Sequence, residues 1–96
     1  MDNGERNDDA LFNLLEELYA LHHTNWKKRI LMTIVEKKKA SYRPIKDELL
    51  EVPDLLVYRC IRELMKEEVV KREEEQHRIY YRLMDEQQYL VHELRE

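Results

Sequence analysis

Cysteine and glycine each occur only once in this 96-residue sequence, at Cys60 and Gly4. A single cysteine excludes an intramolecular disulfide and the cysteine pair of a metal site, so we expect a reducing, cytoplasmic compartment. With its one glycine near the N-terminus, the chain has no glycine-rich loop to cradle a phosphate group. No trio of serine, histidine and acidic residue is suggested by position, so we expect no enzyme and no catalytic residue.

Metal ligands are equally scarce. The four histidines are scattered along the chain, and ligation of a metal needs three or four converging groups. Structural or solvated histidines therefore explain the pattern better than a metal site, and Cys60 lies on the inner side of its predicted helix as a small apolar residue. We expect no metal and no other cofactor.

Long hydrophobic runs are also missing. No apolar stretch approaches the length of a membrane span, and the N-terminal sequence MDNGERNDDA is polar and mostly acidic, unlike a secretory signal. We therefore expect neither secretion nor membrane insertion. The length suffices for one small domain with a modest core, in a size range that often gains stability from oligomerisation.

Charged residues are abundant, at 40% of the chain, and the formal net charge is −4. Their distribution is uneven, because residues 26–46 carry eight basic side chains and one acidic one, a net charge of +7, between two acidic segments. Binding of nucleic acid responds to the field of one face, so this basic block is a candidate contact for phosphate. The alternative is a lysine-rich helix face in solvent.

Apolar residues recur at helical spacing in residues 10–23 and again in residues 25–40, which predicts two amphipathic helices. Asp8 or Asp9 is the expected N-cap of the first helix, and Asn25 that of the second. The sequence therefore predicts a flexible tail over residues 1–8 and a single domain over residues 9–96. The apolar positions of the two helices include Leu11, Leu14, Leu15, Leu18, Trp26, Ile30 and Ile34.

Pro44 and Pro53 each suit a first helical turn, so they predict a short helix, a tight turn and a longer helix over residues 54–67. From Val69 the apolar period changes to two, which predicts a hairpin over residues 69–83 with residues 73–77 as its turn. Asp85 then caps a closing helix. This order predicts a mainly α chain with a small β-hairpin (α+β), a winged helix-turn-helix with flanking N- and C-terminal helices.

Two segments also carry a family resemblance. The run IRELMKEEVVKREEEQHRIYYRL, residues 61–83, resembles the end of the recognition helix and the wing of ArsR-type transcriptional repressors, and KKRILMTIVEKKKA, residues 27–40, is similar to the second helix of that family. Glu68 and Gln76 stand where the family usually has glycine, so a residue with a side chain has to enter the left-handed region there. The resemblance implies a dimeric, sequence-specific, double-stranded DNA-binding repressor.

Candidate DNA contacts follow from this layout. The apolar stripe through Val57, Ile61 and Leu64 leaves the opposite face of the recognition helix free to contact bases. The preceding short helix is expected to contact phosphates, and the wing is expected to contact the flanking DNA backbone. The expected contacts are Arg43 and Lys46 on the short helix, Tyr58, Arg59 and Arg62 on the recognition helix, and Arg72, Gln76, His77 and Arg78 on the wing.

Two alternatives stand beside this interpretation, and a dimer interface is expected in addition. Arg59 and Arg62 could pair with neighbouring acids on a solvated face. Leu55, Leu56 and the acidic wing could instead dock a protein, which would make the chain a winged-helix interaction module without specific DNA binding. The terminal helices are expected to form a two-fold dimer interface. Its predicted residues are Leu11, Leu14, Leu15, Leu18, Leu90, Val91 and Leu94.

Overall fold

In a computed structural model, described for the backbone of residues 2–87 and the side chains of residues 9–87, three helices precede one hairpin. The predicted α+β class, with a helix-turn-helix followed by a two-stranded wing, is confirmed. The elements are α1 (Asp2–Lys37), α2 (Tyr42–Asp47), α3 (Asp54–Lys66), β1 (Val70–Glu75) and β2 (Arg78–Leu83), followed by a short 3-10 helix over Asp85–Gln87.

The two predicted N-terminal helices form one continuous helix, α1, of 36 residues. The predicted break before Asn25 is wrong, because a threonine and an asparagine in a helix interior cost only a few tenths of a kcal/mol each and neither glycine nor proline interrupts residues 9–37. The buried stripe also continues across the predicted break, from Tyr19 to Trp26 and Ile30. The backbone of residues 2–8 is already helical, and the flexibility expected of residues 1–8 stays a prediction.

The core lies between the C-terminal half of α1, α2 with the turn that follows it, the inner face of α3 and the base of the hairpin. Val57, Cys60, Ile61 and Leu64 are buried, which confirms the predicted apolar stripe of α3 and the interior position of the cysteine. The buried residues include Ile30, Ile34, Ile45, Leu49, Val52, Leu56, Val70, Tyr81 and Leu83.

The two prolines act as predicted. Pro44 lies in the first turn of α2, where its missing N–H costs no helical hydrogen bond, and Pro53 is the N-cap of α3. The backbone N–H groups of Leu56 and Val57 donate to the Pro53 carbonyl at 2.9 and 3.1 Å, so α3 begins directly after the turn. The helix ends at Lys66, one residue before the predicted end.

The wing is a six-residue pairing of β1 with β2, in a register that sets Val70 opposite Leu83 and Glu75 opposite Arg78. Its turn is only Gln76 and His77, both with positive φ (49° and 68°), as in a type I′ turn. The expectation that Glu73, Glu74 and Glu75 form the turn is wrong, because these residues pair with β2. Tyr81 also exchanges two backbone hydrogen bonds with Ala40, which ties the hairpin to the segment after α1.

The end of α3 confirms the strained backbone expected at Glu68. Its φ is 61°, its N–H donates to the Met65 carbonyl at 3.0 Å, and the N–H of Val69 donates to the Leu64 carbonyl at 2.9 Å. These two bonds form a Schellman motif in which glutamate takes the position that glycine usually occupies. Gln76 in the wing turn has a positive φ as well.

Replacing Glu68 with glycine is expected to stabilise the fold. A side chain in the left-handed region costs about 1–2 kcal/mol, and the extra freedom of glycine in the unfolded chain offsets about half of that gain. We expect the free energy of unfolding to rise by up to about 1 kcal/mol, which moves Tm upward by about 4–8 °C. Thermal denaturation followed by circular dichroism measures the change.

Glu67→Gly is the matched control, because Glu67 is the neighbouring residue at the same helix end and has a negative φ of −80°. It should lower Tm. Equal effects of the two glycines would contradict the assignment of strain to Glu68.

Candidate nucleic-acid interface

One ridge of α3 faces away from the core. Leu55 is 66% exposed and Tyr58 is 44% exposed, and Arg62 lies exposed one turn further along. Spacings of three and four residues bring these side chains onto one helix face. The exposure of Tyr58 and Arg62 agrees with their predicted outward position. Within residues 9–87, Arg62 makes no ion pair.

Tyr58 is held by a second tyrosine that the sequence did not single out. Its ring stacks on that of Tyr42 at the start of α2, with centroids 4.3 Å apart and planes 5° from parallel. The hydroxyl of Tyr42 donates to Oδ1 of Asp54 at 2.5 Å. Burial, followed by this hydrogen bond, raises the pKa of Tyr42. The contact fixes the first turn of α3 against α2.

Lys46 is engaged inside the helix-turn-helix. Its ammonium group donates to the carbonyl oxygens of Leu49, at 3.3 Å, and Val52, and lies 3.7 Å from the carboxylate of Asp54. These carbonyls belong to the turn between α2 and α3, so Lys46 acts as a brace for that turn. The predicted contact of Lys46 with a phosphate has to compete with these internal partners.

Arg43 and Arg78 come from different elements and line the same groove between α2 and β2. The side chain of Arg43 is 87% exposed and makes only a loose contact of 3.8 Å with Asp47, one turn along α2. Ile79 and Leu50 contribute apolar surface to this groove. The structure thus brings together one predicted phosphate contact and one predicted wing contact.

Arg59 lies on the flank of α3 that faces α1, outside the core stripe, and lines a groove together with Leu55 and Arg62. Its Nη1 donates to Glu16 at 2.6 Å, its Nε lies 3.6 Å from Glu63, and the guanidinium is 4.0 Å from the ring centroid of Tyr19. The alternative of pairing with acids describes Arg59 correctly. To contact DNA, Arg59 has to leave Glu16.

Glu63 is the centre of a polar network between α1 and α3. It accepts a hydrogen bond from the hydroxyl of Tyr19 at 2.6 Å and pairs with Lys27 at 2.9 Å. The hydrogen bond from Tyr19 is the largest influence that lowers the pKa of Glu63, with Lys27 adding to it. Sequence reasoning missed this network, because its partners are about 40 residues apart and only the local pair with Arg59 has a sequence signature.

The basic block of residues 26–46 is not one positive face. Lys27 pairs with Glu63 and Glu67, Arg29 pairs with Glu51 at 2.7 Å, and Lys39 pairs with Glu75 at 2.6 Å. The acidic part of the chain therefore neutralises much of this block. Lys28, Lys37, Lys38 and Arg43 remain exposed.

The acidic wing is largely paired within itself and with the segment after α1. Glu73 lies near both Lys71, at 3.5 Å, and Arg82, at 3.6 Å, while Lys39 holds Glu75 and lies 4.8 Å from the ring centroid of Tyr80. Arg72 and Arg78 are exposed and make no ion pair within residues 9–87, as is also true of Glu74. Arg72 and Arg78 project from opposite faces of the hairpin, with Gln76 and His77 at its tip.

The predicted dimer residues divide into three groups. Leu11 and Leu14 are 57% and 52% exposed, whereas Leu15 and Leu18 are partly buried against the core. Leu90, Val91 and Leu94 lie outside the described residues. Phe12 and Leu21 are further exposed apolar residues of α1 that the prediction omitted, and Phe12 lines a groove of about 340 Å³ between α1 and α3.

In the described part of the chain, no group of three histidine, cysteine or acidic side chains is placed to hold a metal ion. None of the helices between residues 2 and 87 is both long and apolar enough to cross a membrane.

No protein-family model and no curated protein matches the sequence. Its fold, however, is shared by solved structures. An apo mutant form of ZitR from Lactococcus lactis is 18% identical, with a TM-score of 0.64 over 97% of this chain and 70% of that one. The adhesin competence repressor AdcR from Streptococcus pyogenes is 20% identical, with a TM-score of 0.62 over 95% and 69%.

A disulfide-formed structure of AbfR is also similar, at 19% identity and a TM-score of 0.56 over 98% of this chain and 85% of that one. At these identities the likeness establishes the fold. The chain has the winged-helix fold, with α3 in the position of a recognition helix and β1 and β2 as the wing.

The Glu63 network predicts a pH dependence of stability. Because the pKa of Glu63 is lower in the folded chain than its ordinary value of 4.5, its contribution is present above pH 4.5 and is lost as the pH falls through the folded pKa. Glu63→Gln should therefore lower the free energy of unfolding by about 1 kcal/mol at pH 7, a value discounted for partial exposure. Urea denaturation at several pH values measures the difference.

Below pH 4 the difference between wild type and Glu63→Gln should shrink, since the wild-type carboxylate becomes protonated. Glu67→Gln is the control, because Glu67 is more exposed and lies 3.4 Å from Lys27. A difference for Glu63→Gln that stays constant from pH 7 to pH 3 would contradict the network.

Proposed function

We propose that this chain is a dimeric, sequence-specific, double-stranded DNA-binding regulator that represses transcription. Helix α3 enters the major groove, and the wing lies on the flanking backbone. The observation that carries the proposal is the uncovered α3 ridge of Leu55, Tyr58 and Arg62, next to a groove lined by Arg43 of α2 and Arg78 of the wing. An exposed helix face flanked by cations suits an anionic groove.

The roles of the individual side chains follow from their contacts. Arg62 is the candidate guanine reader, since its guanidinium is exposed and makes no ion pair within residues 9–87, and its fork matches two acceptors on guanine. Arg43, Arg72 and Arg78 are candidates for phosphate, with Gln76 and His77 at the wing tip. Lys46 and Arg59 support the interface from inside, by bracing the turn and by joining α3 to α1.

The sequence and the fold support the same class of protein. The resemblance of residues 61–83 to ArsR-type repressors and the fold shared with AdcR, whose name includes the word repressor, both favour a transcriptional regulator. A DNA-binding regulator acts in the compartment that holds the DNA, which agrees with the cytoplasmic location expected from the single cysteine.

A second candidate is a winged-helix module that binds protein. The exposure of Leu50 and Leu55 at the helix-turn-helix favours it, because two large apolar side chains lie there in solvent. Salt separates the two candidates. DNA binding through several phosphates weakens steeply as the salt concentration rises, whereas apolar docking does not.

Dimerisation is proposed through the N-terminal half of α1. Leu11, Phe12, Leu14 and Leu21 expose apolar surface there, and Leu90, Val91 and Leu94 are proposed to complete the interface. A two-fold dimer would present two copies of α3, and sites for such dimers have half-sites separated by about one helical turn of DNA.

Replacing Arg62 with alanine is expected to reduce affinity for the preferred duplex by about 1–3 kcal/mol, with a smaller loss on a scrambled duplex, because a base contact is lost. Arg43→Ala is the matched control at an exposed arginine on α2. It should weaken both duplexes by similar factors and make the salt dependence less steep. Fluorescence anisotropy titrations at two salt concentrations measure these effects.

Equal losses on both duplexes for Arg62→Ala would make Arg62 a phosphate contact. No loss for either variant would favour the protein-binding module.

The double substitution Leu11→Ser and Leu14→Ser is expected to convert a dimer into a monomer at micromolar concentration, because it places two hydroxyl groups in a buried apolar contact. Light scattering coupled to size-exclusion chromatography measures the mass. Leu50→Ser is the control, since Leu50 is 72% exposed and lines a groove that includes no residue of the N-terminal half of α1. A wild-type monomer at that concentration would contradict the proposed interface.

A further inference from the structure

The outward face of α3 has few groups that can read bases by hydrogen bonding. The helix sequence DLLVYRCIRELMK contains no asparagine, glutamine, serine or threonine. Asparagine and glutamine are the usual readers of adenine, and arginine and lysine those of guanine. On the exposed ridge only Arg62 and Lys66 are cations, and the centre of the ridge is apolar.

Asp54, the acid at the start of the ridge, is already engaged. Its carboxylate accepts from the hydroxyl of Tyr42 at 2.5 Å and lies 3.7 Å from the ammonium group of Lys46. Both contacts are made by Oδ1, so Oδ2 is the only acceptor that Asp54 keeps free for a partner. The first turn of a recognition helix commonly contacts base edges, and here that turn presents Leu55.

The ring of Tyr58 is held in place before any partner binds. Tyr42 stacks on one face of the ring at 4.3 Å, and Tyr42 is itself fixed by its hydrogen bond to Asp54. A side chain that is already ordered loses little conformational entropy on binding, so its remaining exposed surface is a preformed apolar contact.

The charge around this apolar ridge indicates which kind of partner covers it. Arg62 and Lys66 are exposed on the same side of α3 as Leu55, and Arg43 and Arg78 line the adjacent groove that reaches Asp54 at the start of the helix. Their exposed positive charge fits an anionic partner. The apolar feature that the major groove of DNA offers is the methyl group at C5 of a pyrimidine, as in thymine.

We propose that Leu55 and the ring of Tyr58 contact C5-methyl groups of pyrimidines in the major groove of the preferred site. This inference rests on the proposed function and names the chemistry that the α3 ridge recognises. The same methyl group occurs in thymine and in 5-methylcytosine, and both sources fit the surface. Tyr42 is a positioning residue for Tyr58 and touches no base.

The experiment uses the full-length protein and the duplex that it selects from a random pool. Each thymidine is replaced in turn by deoxyuridine, which removes only the methyl group, and each deoxycytidine by 5-methyldeoxycytidine, which adds one. Burial of a group of this size is worth about 0.8 kcal/mol. We therefore expect affinity to fall about four-fold for each contacted thymine that loses its methyl group.

The protein variants assign each methyl contact to a side chain. Leu55→Ala should abolish the difference between thymidine and deoxyuridine at one position, and Tyr58→Ala at another, while Leu50→Ala should leave every difference intact. Because Leu55 is exposed and alanine favours helix, Leu55→Ala should keep the Tm of the wild type. A gain of affinity at a methylated cytosine would identify 5-methylcytosine as the source.

Two results would overturn the proposal and leave the proposed function intact. One is specific binding to a duplex whose affinity stays the same when any methyl group is removed or added. The other is a Leu55→Ala variant that weakens the thymidine and deoxyuridine duplexes equally. Absence of specific binding to any duplex would instead contradict the proposed function itself.

Discussion

The carboxylate of Glu63 joins the two long helices, and the orientation of the candidate DNA-binding surface depends on it. Tyr19 and Lys27 reach it from α1, at 2.6 and 2.9 Å, and Arg59 lies beside it on α3. Arg59 in turn bonds to Glu16 and covers the ring of Tyr19. These contacts hold one flank of α3 against α1, and the adjoining ridge, whose Leu55 and Arg62 line the groove between the two helices, is left for a partner.

The same long-range pairing decides where positive charge remains. Lys27, Arg29 and Lys39 belong to the most basic segment of the chain, and each is paired with an acid from α3, the turn before it or the wing. Arg62, which lacks such a partner within residues 9–87, lies on the α3 ridge, and Arg43 and Arg78 line the neighbouring groove. A chain with a net charge of −4 thereby keeps exposed cations next to the apolar residues of the ridge.

Local sequence signals predicted the element types well where the chain carries a strong stop or a change of period. Pro53 marks the start of α3, and the change to alternating residues after Val69 marks the wing. The prediction failed at Asn25, because an N-cap residue is also tolerated inside a helix when the buried stripe continues past it. It failed again at Glu73–Glu75, where acids that suit a turn are accommodated in β1 by Lys39, Lys71 and Arg82.

The sequence by itself determined the winged helix-turn-helix order and the core stripe of α3, because hydrophobic periodicity and proline act over a few residues. The positive φ of Glu68 and Gln76 was expected from the resemblance to ArsR-type repressors, which usually have glycine there. Only the tertiary structure decided that Arg59 faces α1, that Lys46 braces a turn and that Tyr42 supports Tyr58. Helical spacing gives the angle of a side chain around the axis of the helix that carries it. Which neighbour occupies that angle is set by packing between distant segments.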